Sequence, residues 1–311
     1  MLNLRQVQCF VLAVEHGTMT AAAQRLLVSQ SAISLAISGL ERDLGTQLLL
    51  RQRSRGLALT AAGQRFLPQA RELLARAEEL RADTQAQGGE LTGSLTVGCF
   101  RTAAPFILPG LLETFAERHP QVALDFIEGP LPELERALHE GRCELALVYD
   151  LQVGPGIVCE ALYEADAYVL LSPAHPLARR FGPQDAVPLR ALAEHDLVLL
   201  DVPPSGAHIT GVFEQQGVIP RVRYRISSME LLRSLVARNL GYALVISHPR
   251  SDVSYEGLPL ESRVLQGPVR STRFSIAWNA DARRTLRARA FAEHCREMIP
   301  ARLYTGAHGA R

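Results

Sequence analysis

The sequence predicts a mixed fold, with a small, mostly helical module first, then one long helix, then a two-lobed α/β domain. Three observations carry this. Apolar residues recur at helical spacing through residue 44 and give way to a short basic turn flanked by apolar runs. A 3.5-residue apolar period runs from Phe66 to Leu80. From Gly93 onward, short apolar strands alternate with helices. At 311 residues the chain is longer than one core usually serves. The divisions expected are 1–60, 61–89 and 90–311, the last split into lobe one (90–163 and 268–300) and lobe two (164–267).

In the first module, Val7, Phe10, Val11 and Val14 fall on one helical face, and Gly17 supplies a stop. Thr20 is the expected N-cap of a short second helix, Ala21 to Leu27, whose alanines suit close helix packing. Ile33, Ile37, Leu40 and Leu44 mark a third helix that Gly45 ends. A short helix, a tight turn and a longer helix make a helix-turn-helix, which would set Gln30, Ser31 and Ser34 against base edges. The same spacing fits a three-helix structural bundle in which these residues only cap and solvate. Leu48 to Thr60 then reads as strand, basic turn and strand, with Arg51, Arg53 and Arg55 at alternate positions and Gly56 serving the turn. Those arginines could reach phosphates or a minor groove, or simply solvate a hairpin.

Charge distribution agrees with a nucleic-acid partner. The 33 basic residues are all Arg, and the net charge is only +1. Residues 1–60 hold six Arg against Glu15, Glu41 and Asp43, a local +3, whereas residues 91–311 hold 23 Arg against 24 acids. A basic module on a neutral body is the footprint of phosphate binding.

The string from Phe10 to Gly63 resembles the DNA-binding module of the LysR family. The match rests on Ala21-Ala22-Ala23, Leu26, Ser29-Gln30-Ser31-Ala32-Ile33-Ser34, Ile37, Leu40-Glu41, Leu44-Gly45, Leu48, Arg51, Leu59-Thr60 and Ala62-Gly63. The chain departs from the family pattern at Leu49, where Phe is usual, and at Ser38 and Gly39, where basic residues are common. The resemblance implies a winged helix-turn-helix that binds double-stranded promoter DNA. Its expected DNA-facing set is Thr20, Arg25, Ser29, Gln30, Ser31, Ser34, Arg51, Arg53 and Arg55, the arginines acting on phosphates.

Phe66, Ala70, Leu73, Ala77 and Leu80 repeat at four, three, four and three, a coiled-coil seam that Leu67 and Leu74 widen. One helix buries little of such a seam alone, so a partner helix is expected, and Gln85 to Gly89 reads as a hinge. The resemblance implies that this helix dimerises the chain, that sensor domains pair the dimers into a tetramer, and that RNA polymerase is a further partner.

The remainder reads β-α-β-α-β over Leu95–Val148. A second such set runs from Tyr168 to Ile246, and the strand Arg273–Trp278 and helix Arg284–Met298 return to lobe one. The arrangement resembles a periplasmic-binding-protein fold, and Glu140-Gly141-Arg142, Leu235-Val236-Ala237 and Leu240-Gly241 continue the LysR resemblance. A small anionic effector is expected between the lobes, at strand ends and helix starts. The residues placed there are Phe100, Arg101 and Thr102 of lobe one and Pro203, Ser205 and Gly206 of lobe two. Thr102 and Ser205 stand at positions where the resemblance implies effector contact. Phe100 also fits a core position, and Arg101 a pair with a nearby acid.

Other function classes find no support. No serine-nucleophile elbow, Gly-rich phosphate loop, zinc-spaced His pair or calcium loop occurs, so neither enzyme chemistry nor a cofactor is expected. Met1 to Phe10 lacks a secretory pattern and no apolar run reaches bilayer length, so a cytoplasmic protein away from membranes is expected rather than a secreted solute-binding protein. A winged-helix regulator of another family is the remaining alternative, and the seam directly after the wing disfavours it. Cys9, Cys99, Cys143, Cys159 and Cys295 show no metal or dithiol spacing and read as reduced and mostly buried.

Overall fold

The computed structural model describes residues 2–52, 56–85, 90–247, 251–267 and 272–303. Helices α1 (Leu4–Glu15), α2 (Met19–Leu26) and α3 (Gln30–Leu44) are each closed at the start by a side chain. Asn3 accepts the Arg5 N–H, Thr18 the Ala21 N–H and Ser29 the Ala32 N–H. These caps satisfy backbone donors that a helix's first turn leaves free. Thr18, not Thr20, is therefore the cap of α2. Thr20 lies one residue inside the helix, because Gly17, at φ +71°, turns the chain before it. Gly45, at φ +66°, ends α3.

Strands β1 (Leu49–Gln52) and β2 (Gly56–Leu59) form the antiparallel wing, Leu49 opposite Leu59. Glu41 on α3 accepts the Leu48 and Leu49 N–H groups at 2.8 and 3.1 Å, which fixes the wing to the helix. Thr60 then caps α4 (Ala61–Gln85), and Gly63 is needed there because a Cβ would strike the Leu48 carbonyl. Phe10, Ala22, Ile33, Ile37, Leu40, Leu48, Leu67 and Ala70 form this module's core.

Lobe one holds β3 (Gly93–Phe100), α5 (Ala104–Arg118), β4 (Val122–Gly129), α6 (Leu131–His139), β5 (Leu145–Tyr149) and β6 (Ile157–Ala165). Lobe two holds β7 (Tyr168–Leu171), α7 (Pro176–Arg180), β8 (Val187–Pro188), α8 (Leu189–Leu192), β9 (Asp196–Leu200), α9 (Ser205–Glu214), β10 (Arg221–Ile226), α10 (Met229–Ala237), β11 (Ala243–Val245) and β12 (Glu261–Gln266). The chain then returns to lobe one as β13 (Thr272–Asn279) and α11 (Leu286–Leu303).

The lobe-one sheet runs β4-β3-β5-β13-β6, parallel across β4, β3 and β5 and antiparallel at β13. Lobe two departs from the second parallel set expected. Its β7 is antiparallel to both β11 and β12, whereas β9 pairs in parallel with β10, β12 with β8, and Leu197 of β9 bridges in parallel to Tyr242 just before β11. Backbone bonds between Tyr242 and both Val198 and Asp196 join the β9–β10 pair to β11. Among the described residues no helix is long and apolar enough to cross a membrane.

Candidate nucleic-acid interface and effector site

On α3 the stripe Ile33, Ile37 and Leu40 is buried, which turns Ser31 and Leu35 outward and leaves Ser34 and Ser38 half-buried beside them. Gln30 opens the helix, exposed. From Gln30 to Ser38 the outward face carries amide, hydroxyl and apolar groups and no charge. Ser29 has a local task, because its hydroxyl caps the helix and lies 2.9 Å from the Ser31 hydroxyl. Thr20 and Arg25 are exposed at opposite ends of α2. Arg51 lies in β1, opposite Leu57. Arg53 and Arg55 lie outside the described residues. Arg5 and Arg42, exposed on α1 and α3, add cations near this face that spacing did not single out.

The linker helix α4 divides the expected seam. Phe66 packs against Phe10 with tilted rings, centroids 5.5 Å apart, and Ala70 is buried in the same core, so these two positions serve the helix's own module. Further along, Ala77 is half-buried, Leu73 is 36% exposed and Leu80 68% exposed. The apolar period therefore has two uses along one helix, an intramolecular one before Leu73 and an outward one after it. Residues 86–89 of the expected hinge lie outside the described residues.

The charged flank of α4 clasps lobe one. Arg71 bonds Glu15 of α1 at 3.2 Å and donates to the Glu140 carbonyl at 2.6 Å. Glu79 accepts the Leu286 N–H at 2.5 Å, at the start of α11. Glu78 faces Arg287 at 3.8 Å and accepts from Ser94 at 3.4 Å. Arg287 itself is 2% exposed, donates to the Thr92 carbonyl, and keeps a buried Nε without a partner. None of this was visible as spacing, since every contact except the Ser94 bond joins residues 56 or more apart.

Between the lobes, Thr102 is buried and its hydroxyl lies 3.3 Å from that of Ser247, just beyond β11. The Ser247 hydroxyl lies 2.9 Å from the Tyr149 hydroxyl, and its carbonyl accepts from Tyr168 at 2.8 Å. Burial pushes Tyr149 up to about 12 and raises Tyr168, so both phenols stay protonated and can donate. This hydroxyl array, at the ends of β5 and β11, joins the two lobes. Sequence spacing found only its Thr102 member.

Phe100 is 1% exposed and packs edge-on against Tyr149 at 5.7 Å, the core role that its type also allowed. Arg101 is half-exposed and 4.0 Å from Glu128, a loose pair. Ser205 and Gly206 are buried in the first turn of α9, and Pro203 is exposed before it. A Cβ on Gly206 would strike the Asp201 carboxylate, so an acid of the chain already stands at that helix start.

All five cysteines are free thiols, four of them buried and Cys159 half-buried. Burial pushes Cys143 up to about 12 and Cys159 to about 11, and raises Cys9, Cys99 and Cys295. Among the described residues no group of three or more His, Cys, Asp or Glu could hold a metal ion.

Two family models match the chain. Residues 4–64 match the bacterial regulatory helix-turn-helix protein of the lysR family, and residues 88–300 match the LysR substrate binding domain. The chain is 34% identical to HinK, a LysR family transcriptional regulator from Pseudomonas aeruginosa, over 96% of this chain and 99% of that one, with a TM-score of 0.64. It is 26% identical to full-length CbnR, solved with its target DNA, over 95% of this chain and 99% of that one, with a TM-score of 0.55. A probable hydrogen peroxide-inducible genes activator of Mycobacterium leprae is 33% identical over 63% of this chain and 61% of its own length.

Proposed function

The chain belongs to the LysR family of transcriptional regulators, and on that premise we propose that α3 reads promoter DNA under the control of a small anion bound between the lobes. The observation that carries the reading is the outward face of α3. A helix capped by Ser29 and backed by Ile33, Ile37 and Leu40 presents Gln30, Ser31 and Ser34 without a single charge. Gln can pair bidentately with adenine, and Ser can bond several base edges. Arg25, Arg51, Arg53 and Arg55 act on phosphates, which fix register without reading sequence. CbnR, similar over nearly its whole length, was solved on its target DNA, which supports the same use of this module.

The effector site is built on the hydroxyl array. Thr102, Ser247 and Tyr149 offer donors that a carboxylate would accept from, and Arg101, only loosely paired with Glu128, supplies the charge. The Asp201 carboxylate, paired with Arg225 at 3.3 Å, fills the space beside Gly206 at the α9 start, so lobe one carries most of the contact. The exposed side of α4 around Leu73 pairs two chains, and the sensor lobes pair dimers into a tetramer that works with RNA polymerase in the cytoplasm.

Peroxide sensing, suggested by the Mycobacterium leprae relative's name, finds no support in this chain's thiols. Reaction with peroxide needs a thiolate, and every cysteine here is pushed toward the thiol form by burial. Calorimetry with a panel of aliphatic and aromatic carboxylates tests the effector site. A ligand of the wild type should bind Thr102→Val about tenfold more weakly, the loss of one charge-assisted hydrogen bond. Equal affinity for both proteins would move the site elsewhere.

A further inference from the structure

Leu35 is 73% exposed at the middle of α3's outward face, the large apolar side chain that this face carries. At about 100° per residue, Ser31, Ser34, Leu35 and Ser38 share one arc of the helix, with Leu35 nearly opposite the buried Ile33, Ile37 and Leu40. It contributes nothing to the core, because that face of the helix points away from it. In water the side chain costs solvation free energy, which contact with another apolar surface would recover.

The major groove offers one apolar group, the 5-methyl of thymine. We infer that Leu35 is a specificity-determining residue that packs on a thymine methyl, while the flanking hydroxyls of Ser31, Ser34 and Ser38 bond neighbouring base edges. This rests on the DNA-reading role proposed for α3 and adds the base class that its centre selects. The uncharged surround favours the assignment. The helix's arginine, Arg42, falls on the same arc but lies in the last turn, seven residues and about 10 Å along the axis from Leu35, so the immediate neighbours of Leu35 are uncharged.

Selection from a random duplex pool by the full-length protein supplies the preferred site. Each thymine of that site is then replaced singly by deoxyuridine, which removes only the methyl group. One thymine in each half-site should lose roughly fourfold in affinity for the wild type, the worth of one buried methyl group. That loss should vanish for Leu35→Ala. Leu35→Arg should shift the selected base at the same position from thymine to guanine, since Arg pairs bidentately with guanine. Both variants alter an exposed side chain, so an unchanged thermal midpoint checks that they fold. An enriched site with no thymine whose deoxyuridine penalty depends on Leu35 would overturn this assignment and leave the DNA-reading role standing. Failure to enrich any sequence would overturn that role, and the assignment with it.

Discussion

Replacing Glu78 by Gln should loosen the linker helix from lobe one through the charge that it leaves behind. Arg287 is among the largest fully buried side chains of the chain, and the linker's Glu78, at 3.8 Å, is its carboxylate partner. At an effective dielectric of about 20, two charges near 4 Å attract by about 4 kcal/mol, and removing one member of a buried pair commonly costs 3–5 kcal/mol. Glu78 is 47% exposed, so water screens much of this, and a net loss of about 1–2 kcal/mol is the sounder expectation. For a body of this size that lowers the thermal midpoint by about 2–6 °C. Arg287→Met removes the buried charge itself and, with it, the bond to the Thr92 carbonyl and the attraction to Glu144, so it carries a cost of its own that the cycle subtracts. The assay is a double-mutant cycle by scanning calorimetry on the full chain. Glu78→Gln should be costly in the wild-type background and almost free in Arg287→Met. An equal cost in both backgrounds would refute the clasp.

Leu73→Asp places a charge on the outward part of α4 and should halve the assembly in sedimentation, whereas Ala70→Asp strikes the module's own core and should unfold it. An unchanged mass for Leu73→Asp at micromolar concentration would show that this face pairs nothing. Millimolar hydrogen peroxide should leave DNA affinity unaltered, and a thiol reagent applied to the native protein should label Cys159 first, the one half-buried thiol. A rapid, reversible peroxide effect on binding would contradict the thiol assignments.

Much of the fold was legible because local periodicity and burial coincide. The stripe through Ile33, Ile37 and Leu40 and the apolar runs of β3, β5 and β9 are set by residues that face the core wherever their neighbours lie. Strand β6 was not anticipated, because its solvent side carries Glu160 and Glu164 and its alternation is interrupted. Strand β12 escaped notice for a related reason, since Arg263 is buried within it through bonds to the Phe181 and Ser262 carbonyls. The cap of α2 was misplaced because Thr18 and Thr20 are chemically alike and only the turn at Gly17 chooses between them. The seam of α4 misled at Phe66 and Ala70, because an apolar period records that a face is covered and not by which chain. Ser247 joins Thr102 across 145 residues, a juxtaposition that no window of sequence contains.

The most direct test of the account compares Gln30→Ala on the selected site and on random duplex, with Arg25→Ala beside it and each titration repeated over a range of salt. If α3 reads bases, Gln30→Ala should cost about 1–3 kcal/mol on the selected site, leave random duplex unchanged and preserve the salt slope. Arg25→Ala should weaken both duplexes and reduce the slope by about one. Equal losses on the two duplexes for Gln30→Ala would contradict the claim that this helix carries the sequence readout.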